Sequence, residues 1–373
     1  MRIDRRRFLR ASAAGPWLAA GAGVPRIAGA ATNDARPKTI LMLGGTGFLG
    51  PHTVEAALRR GHEVTLFNRG RTRPGLFPDL EQLRGDRDND LKALEGRRWD
   101  AVVDTSANIP RWVRSAAAVL GPNIGHYVYI SSISAYASLT KPGTDESAPL
   151  AEIADPTVEQ VDGETFGALK ALSEKAAEEA MPGRVTVVRP GLIAGPDDPS
   201  DRFAYWPVRV ARGGEVLAPG SAEDPVQLID VRDLGEFLVT LIEGTTTGVF
   251  NALGPAGGLT MGRMLDACKE AAGSDATFTF VPARFLAEQG VSAWSDMPAW
   301  VPAEGDTAGF ARVSNAKAIG VGLGFRPIVE TARATLEWFE AQPEERRSRL
   351  RAGLAPGREA EVLAAWKARD EQG

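Results

Sequence analysis

The segment Gly44–Gly50 has the spacing of a phosphate-binding loop, with glycines at its first, fourth and seventh positions. It follows the apolar run Lys38–Leu43 and precedes a helical pattern that ends at Gly61. Glycines at this spacing let the backbone turn tightly, approach a pyrophosphate and pack the helix against the strand. The first amides of the helix would then face the phosphates. We predict cofactor contacts at Gly44, Thr46, Gly47, Phe48, Leu49 and Gly50.

The surroundings of this loop decide how it is interpreted, because a lone glycine-rich loop can also be a flexible turn. A second predicted strand at Glu63–Phe67 favours dinucleotide binding. In such folds that strand is followed by an acid that accepts hydrogen bonds from the adenosine ribose. Here Asn68 and Arg69 follow it, with Arg71 and Arg73 close behind. Guanidiniums suit a 2′-phosphate, whereas the alternative is a solvated basic loop, so NAD and NADP both stay open.

Further apolar runs alternate with helical patterns and predict an α/β fold, a Rossmann-type doubly wound parallel sheet with a smaller C-terminal substrate lobe. Ligands bind such sheets at the carboxyl ends of the strands. Asp86 follows one strand and is positioned for the adenine amino group, with a helix N-cap as the alternative role. The predicted strands after the first two are Glu81–Arg84, Trp99–Asp104, His126–Ile130 and Arg184–Val188.

The composition restricts the class of protein. The 373 residues include 43 Lys and Arg, 48 Asp and Glu, and 43% hydrophobic residues, as in a globular chain with a sizeable core. The single cysteine, Cys268, excludes an internal disulfide and a Cys-based zinc site, and we predict no metal site. The first 30 residues hold six arginines and one aspartate, which leaves 37 basic against 47 acidic residues elsewhere. Such an acidic body has no bulk attraction for nucleic acid.

The first 30 residues resemble a twin-arginine export signal. The run Asp4–Arg10 contains the paired arginines and the Phe-Leu step, although Asp4 stands where a serine or threonine is usual. The weakly apolar stretch Ala11–Val24 and the small residues Ala28–Ala30 complete the pattern of a cleaved signal. The stretch is too short for a membrane-spanning helix, which needs about 20 apolar residues. We therefore predict a periplasmic or extracytoplasmic protein, exported already folded by the twin-arginine machinery; an accidental basic tail is the alternative.

Six segments occur in a recognisable order: the glycine loop, Gly85-Asp86, Ile130-Ser131-Ser132, Phe166–Lys170, Val188–Pro196 and Gln227–Asp233. From about residue 38 to about residue 340, the chain resembles the NAD-dependent epimerase/dehydratase family, the extended short-chain dehydrogenases. A closer likeness is to bacterial reductase-like members and to chloroplast stem-loop RNA-binding relatives. The resemblance implies a nicotinamide cofactor, NAD or NADP, and it allows a homodimer. It also implies cofactor contacts at Ser106, Ser131, Lys170 and Pro190.

The resemblance also suggests catalytic residues. In the family a serine or threonine lies four residues before a tyrosine at a strand end, which places Ser132 in the catalytic-serine position with Tyr136 after it. The catalytic tyrosine and lysine normally lie four residues apart on one helix face, since an ammonium favours the phenolate. This chain keeps Lys170 but has Phe166 at the tyrosine position, and phenylalanine exchanges no proton. Tyr136 or an acid of the substrate lobe is therefore a candidate base. The alternatives are a turn hydroxyl for Ser132 and a surface lysine for Lys170.

The C-terminal part of the chain supplies candidate substrate contacts. Arg202, Tyr205 and Trp206 combine guanidinium and aromatic faces, which suit a sugar or an oxygen-rich ring. An amphipathic helix packed on the core is the alternative. Arg232 is a further candidate, with a structural salt bridge as its alternative role. We predict an NAD(P)-binding domain at 38–190 with 225–255 returning to it, a substrate lobe at 191–224 and 256–340, and a peripheral helical extension at 341–373.

Together these patterns predict an exported NAD(P)-dependent oxidoreductase, similar to epimerases and dehydratases, with a tightly bound cofactor. No nicotinamide pool is expected beyond the inner membrane, which favours a reaction that regenerates its own cofactor. The substrate would be sugar-like or a small carbonyl or hydroxyl compound. The alternative, favoured by Phe166, is a non-catalytic NAD(P)- or ligand-binding protein. Nucleic-acid binding and stable membrane insertion are not predicted.

Overall fold

The computed structural model describes residues 36–370, and their central element is a seven-stranded parallel sheet. In chain order the strands are β1 (Thr39–Leu43), β2 (Glu63–Asn68), β3 (Glu81–Arg84), β4 (Trp99–Asp104), β5 (Ile124–Ile130), β6 (Val185–Pro190), β7 (Leu192–Ala194), β8 (Glu215–Pro219), β9 (Pro225–Asp230), β10 (Gly248–Ala252), β11 (Gly254–Thr260) and β12 (Thr277–Val281). The central sheet has the order β3-β2-β1-β4-β5-β6-β10. Every pair in it is parallel. The Rossmann-type fold predicted from the sequence is confirmed.

Helices cover both faces of this sheet, which explains why its strands are apolar on both sides. In chain order the helices are α1 (Leu49–Arg59), α2 (Pro110–Leu120), α3 (Phe166–Ala180), α4 (Tyr205–Ala211), α5 (Val231–Gly244), α6 (Met261–Ala272), α7 (Ala283–Glu288), α8 (Ala316–Gly320), α9 (Ile328–Glu340), α10 (Glu344–Arg347) and α11 (Pro356–Asp370). Ile40 and Met42 of β1 belong to the core on the side of α1 and α5. Leu41 and Leu43 belong to the core on the side of α2 and α3. The alternation along one strand thus serves two separate cores.

The C-terminal lobe has small sheets and a core of its own. One sheet has the order β11-β9-β7, and β8 pairs in parallel with β12. Strand β10 joins the central sheet, whereas β9 pairs within the lobe, so the predicted return of residues 225–255 is divided between the two sheets. The lobe core combines apolar side chains of α4 and α6 with Trp300, and it contains the buried thiol of Cys268.

The C-terminal segment differs from its predicted role. The sequence predicts that residues 341–373 are peripheral, but Val362 and Leu363 of α11 are buried in the lobe core. Glu359 of the same helix is also buried and accepts hydrogen bonds from Arg209 Nε and the Leu217 amide. This amphipathic helix completes the core, which explains why a charge-rich sequence is not peripheral.

The predicted export signal at residues 1–30 lies outside the described residues. Within residues 36–370, no helix combines the length and the apolar character that a membrane crossing requires.

Candidate functional site

The carboxyl ends of β1 to β4 open on a cleft of about 680 Å³. The glycine loop forms one wall: Gly44 has a φ of +99°, and a Cβ there would lie 2.6 Å from Thr105 Oγ1. A Cβ on Gly50 would overlap the carbonyl oxygen of Gly44. Both positions therefore require glycine. The predicted cofactor residues that line the cleft are Gly44, Thr46, Gly47, Phe48, Leu49, Asn68, Arg69, Asp86 and Ser106.

Four other predicted cofactor residues do not line this cleft. Gly50 lies at the start of α1, where it allows the helix to pack against the loop. Pro190 ends β6 and is buried. Ser131, which follows β5, and Lys170 of α3 are both buried, and the Lys170 amino group donates to the Ile130 carbonyl at the end of β5.

A buried ion pair forms part of the cleft wall. Arg87, which follows β3, donates to both carboxylate oxygens of Asp104 at the end of β4, at 2.5 and 2.6 Å. It also donates to Ser106 Oγ at 2.6 Å, and the Tyr127 hydroxyl donates to Asp104 at 2.5 Å. Burial opposes the charge of Asp104, but the attraction and hydrogen bonds of Arg87 outweigh it, so the pKa of this carboxyl lies below its usual value. The pair fixes the loops after β3 and β4 relative to each other.

Arg73, in the loop after β2, contacts both the glycine loop and the loop that follows β7. Arg73 donates from Nε to the Thr46 carbonyl at 3.1 Å and from Nη2 to the Gly47 carbonyl. Its Nη1 pairs with Asp197 at 2.8 Å, and Asp197 also accepts from Trp338 Nε1 of α9 at 3.0 Å. Arg73 thus joins the loop after β2 to the glycine loop and to the C-terminal lobe. We call this set of contacts the Arg73 bridge.

Lys170 is buried in α3 and is hydrogen-bonded to backbone. Its amino group donates to the carbonyls of Ala107 and Ile130, at 2.8 and 2.9 Å. Burial lowers the pKa of this amine to about 8. The Phe166 ring centre lies 5.7 Å from the amino nitrogen and the Tyr129 ring centre 5.1 Å. The surface alternative for Lys170 is therefore wrong, and an aromatic ring without a hydroxyl lies beside it.

The two serines after β5 have different surroundings. Ser131 is buried and donates to Glu174 Oε1 of α3, and Arg189 of β6 donates to both oxygens of Glu174, at 2.9 and 2.6 Å. Ser132 Oγ caps a 3-10 turn, where it accepts from the Ser134 amide and donates to Ser134 Oγ, both at 3.1 Å. Ser131 thus links sheet to helix, whereas Ser132 has the turn-hydroxyl environment named as its alternative.

Tyr136 does not contact the lysine. Its hydroxyl donates to Asn251 Oδ1 at 2.7 Å, and the Arg189 guanidinium lies 4.7 Å from its ring centre. Burial raises the pKa of the phenol, which makes its proton harder to remove. Both observations work against Tyr136 as the base.

The candidate substrate residues are largely occupied by structural contacts. Tyr205 and Trp206 are in the lobe core, and Trp206 Nε1 donates to the Pro298 carbonyl at 2.7 Å. For these two the structure matches the packing alternative, because the first turn of α4 faces inward. Arg232 pairs with both oxygens of Asp230, at 2.9 and 2.7 Å, which is its salt-bridge alternative. Arg202 is partly buried over the Trp294 ring at 5.5 Å, and it does not line the cleft.

Sequence reasoning named Arg73 only as part of the basic segment after β2, and it missed Arg87 and Glu174 as residues that organise the site. Arg87 directly follows Asp86 at a strand end, and this position could have identified it. The partners of Arg73 and Glu174 could not be read from the sequence, since Asp197 and Arg189 lie 124 and 15 residues away from them. Within residues 36–370, no cluster of three or more histidine, cysteine or acidic side chains is arranged to hold a metal ion.

Comparison with known sequences identifies the family. The profile of the NAD dependent epimerase/dehydratase family matches residues 40–252, more than half of the chain, and the chain belongs to this family. The chloroplast stem-loop binding protein of 41 kDa b from Arabidopsis thaliana is 25% identical over 260 residues. That match covers 63% of this chain, which spans 64% of the length of the Arabidopsis protein.

Solved structures at low sequence identity share the fold. The UDP-glucose 4-epimerase of Thermus thermophilus, in complex with NAD, has a TM-score of 0.58 and 20% identity, covering 82% of this chain and 100% of that chain. Human epimerase family protein SDR39U1 (isoform 2) with NADPH has a TM-score of 0.56 and 21% identity, covering 80% and 99%.

The cleft residues fit a dinucleotide of the kind this family uses. Gly44 and Gly50 let the backbone turn at the place where a pyrophosphate would approach it. Among the described residues, Asn68 Nδ2 and Arg87 Nε are buried nitrogens without a hydrogen-bond partner, and both residues line the cleft. Buried donors normally have partners, so two donors without one at this position suit an oxygen-rich anionic ligand.

Proposed function

We propose that this chain is an exported NAD(P)-dependent oxidoreductase of the epimerase/dehydratase type. It keeps its cofactor bound and acts on a sugar-like or small carbonyl or hydroxyl compound. The observation that carries the proposal is the cleft itself, which is lined at the strand ends by a glycine loop and by two residues, each with a buried donor that has no partner within residues 36–370. The Arg73 bridge supports slow cofactor release, because it joins the glycine loop to the C-terminal lobe.

The residues of this chain divide the work as follows. When bound, a nicotinamide would supply hydride transfer between itself and the carbinol or carbonyl carbon of a substrate. The charged amino group of Lys170 has three hydrogens, and two of them are donated to the carbonyls of Ala107 and Ile130. The third would be free to donate to a ribose hydroxyl. Ser132 hydrogen-bonds the reacting oxygen through the hydroxyl that now meets Ser134. The base that takes the proton of this oxygen is unassigned, since Phe166 has no hydroxyl.

The cofactor is tested first. The purified mature protein is denatured, and any released dinucleotide is identified by mass spectrometry. The proposal expects NAD or NADP in the extract, or binding of added NADH or NADPH to an empty protein. A protein that is empty and binds neither would overturn both the enzymatic proposal and its alternative, a non-catalytic cofactor-binding protein.

The variant Phe166→Tyr separates the enzyme from the alternative. A tyrosine would place a phenol beside the Lys170 ammonium and restore a proton-transferring group, whose contribution is about 10²–10⁴-fold. A scaffold that lost only this group should gain hydride transfer with carbonyl or sugar substrates. An enzyme with another base should already be active and gain little. The matched control is Phe166→Leu, which should retain cofactor binding and gain no activity.

Export is a separate part of the proposal and has its own test. The variant with Arg5→Lys and Arg6→Lys should stay in the cytoplasm, because the twin-arginine machinery reads the arginine pair. Cell fractionation measures the distribution. Undiminished export of the double variant would contradict the signal.

A further inference from the structure

The side-chain acceptor of Asn68, the last residue of β2, is already engaged, and the loop that follows carries the guanidiniums of Arg69 and Arg71. Asn68 Oδ1 accepts from the Gly70 amide at 2.8 Å and from Arg84 Nη1. The amide nitrogen of the same side chain, Nδ2, is buried and has no partner among the described residues. In the cofactor site of such folds, a ribose 2′-hydroxyl at this position donates to a carboxylate. Here the corresponding acceptor is saturated, so a hydroxyl gains little from donating.

Positive charge surrounds this loop. Arg69 and Arg71 line the cleft on the two sides of Gly70, and neither guanidinium has an ion-pair partner within the described part of the chain. Arg84 lies against Gly70 and is held by Asn68. Guanidiniums present donors in a geometry that matches phosphate oxygens.

The acidic residues of the cleft lie on the neighbouring loop after β3 and are themselves engaged. Asp88 accepts from Arg111 and Trp112, both at 2.7 Å. Asp86 accepts from the Asp88 amide at 3.1 Å. The segment 68–73 itself contains no carboxylate, so an anion bound there would contact hydrogen-bond donors and positive charge.

We infer that the chain selects NADP(H) over NAD(H), and that Arg69, Arg71 and Asn68 Nδ2 bind the 2′-phosphate. The inference rests on the proposed function, because it places the adenosine of a dinucleotide at the end of β2. It also explains why no acid follows β2: a carboxylate there would repel the phosphate. Charge-assisted hydrogen bonds to two guanidiniums make the expected preference about 10- to 100-fold in Kd.

The test measures binding to the mature protein freed of cofactor, by titration with NADPH and with NADH, followed by nucleotide fluorescence. NADPH should bind about 10- to 100-fold more tightly than NADH. Arg69→Ala and Arg71→Ala should weaken NADPH binding several-fold and leave NADH binding unchanged. Arg98→Ala is the matched control, since this exposed arginine precedes β4 at the opposite end of the sheet. It should change neither affinity.

A reciprocal variant strengthens the experiment. Asn68→Asp supplies the missing carboxylate, so it should weaken NADPH binding and tighten NADH binding. Equal affinity of the unmodified protein for both dinucleotides would overturn the inference and leave the proposed function intact. Failure to bind either dinucleotide would overturn both. Loss of both affinities in the arginine variants would overturn the assignment of Arg69 and Arg71 to the 2′-phosphate.

Discussion

Asp104 accepts five hydrogen bonds in the interior of the protein, and replacing it with asparagine tests whether the buried ion pair organises the cleft. Two of these bonds come from Arg87, one from the Tyr127 hydroxyl, and two from the amides of Ser106 and Ala107. Asparagine has nearly the same size, but it carries no charge and replaces one acceptor with a donor. The variant therefore leaves the Arg87 guanidinium charged, buried and without its counter-ion.

The expected loss follows from the burial of both partners. The side chain of Asp104 is 0% exposed and that of Arg87 is 10% exposed. Removing one member of a buried pair destabilises a protein by about 3–5 kcal/mol, since the remaining charge is uncompensated. Domains are stable by only about 5–15 kcal/mol, so Asp104→Asn should lose a large part of the stability. With a slope of about 3 kcal/mol per molar urea, the midpoint should fall by about 1–2 M.

Urea unfolding followed by circular dichroism measures this loss. The control is Glu81→Gln, which removes the same charge from an exposed pair with Arg97, where a change of about 1 kcal/mol or less is expected. At low pH, the difference in the free energy of unfolding between the wild type and Asp104→Asn should become smaller. Because the folded pKa of Asp104 is depressed, its contribution is complete above the unfolded pKa of about 4 and is lost as the pH falls through the folded pKa.

A second substitution tests the physical reason for the loss. Combining Asp104→Asn with Arg87→Met removes the stranded charge, so the double variant should be more stable than Asp104→Asn alone. The stability should recover only partly, because the Tyr127 hydroxyl and the two backbone N–H groups then face a side-chain amide instead of a carboxylate. The reasoning is refuted if Asp104→Asn loses no more stability than Glu81→Gln. It is also refuted if the stability lost by the double variant equals the sum of the losses of Asp104→Asn and Arg87→Met.

Two further predictions concern α3. A Cβ on Gly167 would overlap the Ser134 carbonyl oxygen, so Gly167→Ala should lose about 1–3 kcal/mol in urea unfolding. Gly163→Ala, where a Cβ meets open space, should lose much less, and equal losses would contradict the steric argument. Burial lowers the folded pKa of Lys170 to about 8, so between about pH 8 and pH 10.5 the unfolded chain binds the extra proton and stability should rise with pH. The free energy of unfolding should rise by on the order of 3 kcal/mol in the wild type and should not rise in Lys170→Met. Urea unfolding at both pH values measures this, and a rise that persists in Lys170→Met would contradict the prediction.

The local features of the site could be read from residue order. The glycine loop after β1 and the basic segment after β2 are contiguous in sequence, and the parallel sheet brings strand ends to one edge. Nine of the predicted cofactor residues therefore line one cleft.

Contacts between distant segments could not be read in this way. Tyr205 and Trp206 are equally suitable for a sugar or for a core, and only the position of α4 against α6 places them inside. Residues 341–373 are polar in composition, yet α11 directs Val362 and Leu363 into the lobe. Periodicity identifies an amphipathic face, but it does not identify the element against which that face packs.

Residue order was sufficient for the class of fold, the glycine loop, the basic segment after β2 and the absence of a tyrosine at Phe166. These are properties of neighbouring residues and of spacing along one helix or strand. Folding was needed to establish that Arg87 neutralises Asp104, that Arg73 reaches Asp197, and that the acceptor of Asn68 is saturated. The reason is physical: a charged or polar side chain takes whichever partner the packed loops bring within hydrogen-bond distance, and that choice is made only when the chain is folded.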